Sequence, residues 1–88
     1  VVAGVRAWRR AHEPQVLREF ADLLALPNVA SDSVNIRRNA DAIVAAFARR
    51  GIAMRRLESP TGGPPAVYGE WRSPRRDART VVLYAHYD

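Results

Sequence analysis

The residues able to do chemistry in this sequence are concentrated in one stretch, Tyr84-Ala85-His86-Tyr87-Asp88. A neutral imidazole is a good zinc ligand through one ring nitrogen. The other nitrogen then carries the proton, and a nearby carboxylate fixes that tautomer and raises the basicity of the ligand. His86 and Asp88 are two residues apart, so in an extended chain they face the same side, with Tyr87 turned the other way. A His-x-Asp at a strand end therefore offers a metal ligand together with its orienting partner. The same spacing also describes a strand-end histidine and a loop aspartate that are hydrogen-bonded and inert.

The elements that must position this pair follow from periodicity. Between Pro14 and Leu26, the residues Val16, Leu17, Phe20, Leu23 and Leu24 form an apolar stripe at helical spacing. Pro14 suits a first helical turn. Val5 to Ala11 reads as an earlier helical turn, with a bend at the proline. Pro27 ends the helix. After the polar connection 28–33, Asp32 or Ser33 is placed to cap a second helix running to about Arg50. Its expected buried face is Ile36, Ala40, Ile43, Val44 and Phe47. Arg49 and Arg50 complement the helix dipole, and Gly51 is the left-handed stop. Asp41 is expected to pair with Arg37 one turn away.

Beyond Gly51 the helical period is lost. Ile52 to Leu57 and Ala66 to Trp71 read as strands, separated by the turn-rich SPTGGPP of residues 59–65. Thr80 to Ala85, TVVLYA, is a third strand whose continuous apolar run implies burial on both faces. His86 then stands at the carboxyl end of the most buried strand, where open α/β sheets place their active-site groups. The fold class expected is α/β: two N-terminal helices, then strands of a mixed central sheet.

Composition narrows the function classes. The chain has 88 residues, 48% of them hydrophobic, and a net charge of +5. It holds no apolar run near the ~20 residues of a membrane helix. Cysteine is absent, which removes disulfides and thiolate chemistry and favours a cytoplasmic setting without requiring it. All fourteen basic residues are Arg, ten of them scattered as five adjacent pairs with acids between most of these. That distribution reads as solvated faces, not as the one-sided basic stripe of a nucleic-acid binder. Trp8 with Arg6, Arg9 and Arg10 is the nearest approach to a stacking-plus-phosphate patch. An amphipathic helix packed through Trp8 accounts for the same residues. His12 reads as a surface residue. Gly62-Gly63 lacks the Lys-Ser/Thr and following helix of a phosphate loop.

Four segments, quoted as they stand, occur in the order seen in one enzyme family: LLALPNVASD after the first helix, NADAIVAAFARRG in the second, PPAVYGEW in the middle strand, and TVVLYAHYD. Leu23 to Asp88 thus resembles the metallopeptidases that include aminoacylases, acetylornithine and succinyl-diaminopimelate deacylases and carnosine dipeptidases. LYAHYD, with Tyr87 between the two polar residues, is most similar to the dipeptidase branch. The resemblance implies that residues 1–88 are the N-terminal part of a zinc-exopeptidase-like catalytic domain, with two divalent metal ions, zinc in the first instance. His86 would be a metal ligand and Asp88 the catalytic residue that orients it. The family's bridging Asp, its Glu pair, a further carboxylate and a late His would lie downstream. The implied reaction is hydrolysis of a small peptide or N-acyl amino acid, with no nucleic-acid or membrane partner, by a parent for which the resemblance allows a homodimer. The competing readings are a small Arg-rich nucleic-acid-binding module and a non-catalytic truncated relative.

Overall fold

A computed structural model describes residues 1–88. Helix α1 spans Val2–Leu24, helix α2 Ser33–Ala48, strand β1 Met54–Leu57 and strand β2 Ala66–Gly69. The strands form one antiparallel pair in which Met54 faces Gly69 and Leu57 faces Ala66. The architecture is a small α/β arrangement of two helices and a two-stranded sheet.

Helix α2 forms as its sequence directs. The Asp32 carboxylate accepts the Asn35 amide at 3.0 Å and the Asn35 side-chain amide at 2.7 Å. These bonds hold the Asp32 carboxyl below its ordinary pKa and satisfy a helix-start donor that would otherwise be orphaned. At the other end, the Ile52 amide reaches the Phe47 carbonyl and the Gly51 amide the Ala48 carbonyl, both at 3.0 Å. Gly51 adopts φ 73°, and the two bonds complete a Schellman stop. The Arg50 guanidinium donates to the Ala46 carbonyl at 2.8 Å, so the positive charge sits on the carbonyl end of the helix.

The core lies on this helix. Ile36, Asn39 and Ala40 of α2 are buried, together with Pro65 before β2. Ile43 and Val44 are half-buried, and Phe47 at the same face is 38% exposed. Asn39 is the one buried polar side chain of α2. Its amide donates to the Pro27 carbonyl at 2.7 Å and the Asn35 carbonyl at 2.9 Å, fastening the connection after α1 to α2. Ion pairs tie the remaining elements to the same helix. Arg50 meets Glu19 of α1 at 2.5 Å, Arg56 of β1 meets Asp41 at 3.1 Å, and Arg37 meets Glu58 after β1 at 2.9 Å. Asp41 therefore pairs across to the sheet and not along its own helix with Arg37. The next element offers a better-placed guanidinium than the helix surface does.

Helix α1 runs without interruption through Pro14, so the separate turn expected over Val5 to Ala11 merges into it. A proline in a helix interior removes one amide donor and crowds the carbonyl four residues earlier, here that of Arg10, yet the helix continues through it. Only the C-terminal half of α1 meets α2. Val5 is 63% and Trp8 55% exposed.

The largest departure from expectation is residues 80–85. They form no strand, and Val82 is 84% and Leu83 92% exposed. The mixed central sheet is correspondingly absent from residues 1–88, and β1 and β2 are shorter than the periodicity predicts. The reason is physical. A run that is apolar on both faces gains from strand formation only with hydrogen-bonding neighbours and a layer on each side. Helix α2 packs against one two-stranded sheet, and no second layer is present to do the same for residues 80–85.

Asn39→Ala should destabilise the chain by about 1–3 kcal/mol, because it leaves the Pro27 carbonyl without its partner. A lowered urea midpoint in circular dichroism checks this, and an unchanged midpoint counts against the fastening role.

Candidate functional site

The last residues are extended, and their side chains alternate. Tyr84, His86 and Asp88 lie on one side and are joined in a line. The His86 Nδ1 is 3.0 Å from Asp88 Oδ1, and the His86 Nε2 is 3.0 Å from the Tyr84 hydroxyl. The Tyr84 and His86 rings meet edge to face, with centroids 5.5 Å apart. An ionised carboxylate only accepts hydrogen bonds, so Nδ1 carries the proton and donates to Asp88. Nε2 keeps its lone pair and accepts from the Tyr84 hydroxyl. This is the tautomer that a metal-binding histidine needs, with the ligand nitrogen directed away from the carboxylate.

Tyr87 faces the opposite way. Its hydroxyl donates to the Pro65 carbonyl, and its ring is half-buried. Loss of hydration, followed by the nearby negative charge of Asp88, raises its phenol pKa above the ordinary value. The shared side of His86 and Asp88 and the opposite turn of Tyr87 match the alternation read from the sequence. Sequence reasoning gives Tyr84 no role of its own, although its position two residues before His86 places it on the same side by the same rule. The contact of Tyr87 with Pro65 joins residues 22 apart and has no local signal.

The pair is open to water, with His86 71% and Asp88 42% exposed at the side chain, so its attraction adds little to stability. It supplies one imidazole and one orienting carboxylate. A catalytic zinc normally takes three protein ligands and keeps a further position open. No group of three or more His, Cys, Asp or Glu is placed to hold a metal in these 88 residues. The residues present suit one ligand position and do not by themselves make a two-metal site.

The other candidates lie apart from this segment. Trp8 stacks on His12 with centroids 4.2 Å apart, and the His12 Nδ1 donates to the Trp8 carbonyl at 2.8 Å. Trp8 therefore packs on its own helix and is 55% exposed, so the expected packing of an amphipathic helix through Trp8 is not found. A groove of ≈ 440 Å³ between the helices is lined by Phe20, Leu23, Ile43 and Phe47. A second, of ≈ 410 Å³, lies beside the hairpin at Met54, Arg55, Tyr68 and Arg72. Neither includes His86 or Asp88. Gly62 takes φ 80° in a turn closed by its amide on the Ser59 carbonyl, with no helix after it. No helix is long and apolar enough to cross a membrane.

Comparison with protein-family models, curated protein sequences and solved structures finds no match to this chain.

With a single imidazole in the candidate segment and His12 held apart on α1, residues 1–88 should bind zinc more weakly than micromolar. Calorimetric titration checks this. Stoichiometric binding at micromolar zinc or below would show that further groups gather around the ion.

Proposed function

We propose that these residues are the N-terminal part of a metal-dependent hydrolase that cleaves peptide or amide bonds in dipeptides or N-acyl amino acids. The observation that carries this reading is the line Tyr84–His86–Asp88, in which Asp88 holds the His86 proton on Nδ1 and leaves the lone pair on Nε2, which a metal would take in place of the Tyr84 hydroxyl. The ordered resemblance of Leu23 to Asp88 to the aminoacylase and carnosine dipeptidase family supplies the substrate class. In this reading His86 is a ligand to one of two divalent ions, zinc in the first instance. Asp88 sets the tautomer and raises the basicity of that ligand. Metal ions in such sites polarise the scissile carbonyl and acidify a bound water. The remaining ligands and the general base would come from residues beyond these 88. The exposed apolar run 80–85 supports the same picture. Once paired and covered, it becomes a buried strand of a larger mixed sheet that presents His86 at its carboxyl end.

The test uses the longer protein that carries this chain, assayed with zinc on dipeptides, acetylornithine and succinyl-diaminopimelate. Turnover of dipeptides is expected. Activity confined to the two deacylase substrates would move the protein to another branch, and inactivity on all three would sink the proposal.

In the same protein, His86→Ala should lose one metal equivalent by elemental analysis and nearly all turnover. Asp88→Asn should retain more metal and lose about 10–100-fold in affinity or rate. Full metal occupancy and normal turnover in His86→Ala would remove the ligand assignment.

A further inference from the structure

Residues 71–86 and Asp88 are exposed, and Tyr87 is the single half-buried residue in this whole stretch. Its hydroxyl donates to the carbonyl of Pro65, itself buried at the entrance to β2. Arg37 of α2 and Glu58 after β1 both act on the phenol and form an ion pair at 2.9 Å. The ring of Tyr87 thus enters a corner where α2, the end of β1 and the start of β2 meet. No backbone hydrogen bond links residues 79–88 to the rest of the chain.

We propose that Tyr87 is the positioning residue of the His86–Asp88 pair. An extended backbone sends alternate side chains to opposite faces. Seating Tyr87 against Pro65 therefore directs both of its neighbours outward on the same side. With that direction set, the Asp88 carboxylate and the His86 Nδ1 meet at 3.0 Å without each searching its own rotamers against a free backbone. Tyr87 touches no reacting group. It acts through the backbone of residues 86–88 on the tautomer of His86. The functional meaning of this role rests on the hydrolase reading, but the positioning itself does not.

The experiment uses this chain without metal, at a pH where imidazole is neutral. Long-range proton–nitrogen NMR correlations of His86 report its tautomer directly. A free imidazole side chain favours the Nε2–H form, so a dominant Nδ1–H form in the native chain is the signature of the positioned pair. Tyr87→Phe keeps the ring and removes the hydroxyl. It should lower the Nδ1–H to Nε2–H ratio about 3–10-fold, the effect of one hydrogen bond. Asp88→Asn marks the released spectrum, and Tyr84→Phe reports how much of the preference comes from the bond to Nε2. A native ratio in Tyr87→Phe overturns the proposal, as does a preference abolished by Tyr84→Phe alone. Should Tyr87→Phe unfold, nuclear Overhauser contacts from the Tyr87 ring to Pro65 and Arg37 in the native chain decide the matter, and their absence overturns it. Every readout is metal-free. A failure here leaves His86 standing as a ligand, and a failed zinc assay in the longer protein leaves the positioning role standing.

Discussion

The face of α2 that carries Ile36, Asn39 and Ala40 is the constraint on which the rest of the structure depends. Three of the buried residues lie there, and α1, β1 and β2 all pack against this helix. Ile36 and Ala40 are apolar and present a narrow surface that the hairpin can approach. Asn39 between them would be costly to bury unpaired. Its two hydrogen bonds to the Pro27 and Asn35 carbonyls convert that cost into a fixed entry path for the chain. The exit path is fixed by the Gly51 stop, which turns the chain toward β1. Between these two points, α2 sets where every other element can lie.

Arginine has a structural part in this arrangement. Arg50, Arg56 and Arg37 each leave one element and end on a carboxylate of another, at the periphery of the small core. The Arg50 bond is the first cause of the lowered Glu19 pKa. Each pair is partly exposed and contributes little alone. Their value here is directional, because they join elements that share few buried contacts. The same placement disperses positive charge over α1, α2 and the hairpin instead of gathering it into one basic stripe.

The candidate site stands at the edge of this framework and not inside it. Tyr84, His86 and Asp88 are linked to one another, and Tyr87 provides the tie to the folded part. The apolar residues that precede them are strongly exposed, with Val82 at 84% and Leu83 at 92%. Their composition is that of a buried strand and their surroundings are those of a surface segment. Pairing strands and covering layers from further chain would resolve that conflict, as the hydrolase proposal requires.

Local signals carried much of what was legible in the sequence. The Asp32 cap, the Gly51 stop, the Ile36–Ala40 face and the hairpin around SPTGGPP all follow from interactions within a few residues, so their patterns are written in the adjacent letters. The shared side of His86 and Asp88 is also local, since it needs only an extended backbone. What the tertiary structure decided is everything that depends on a distant partner. Asp41 found Arg56 instead of Arg37, Asn39 found Pro27, and Tyr87 found Pro65. Thr80 to Ala85 has strong intrinsic strand character yet forms no strand. A strand is stabilised by neighbours that lie far away in sequence, whereas a helix closes its own hydrogen bonds, and composition alone cannot supply those neighbours.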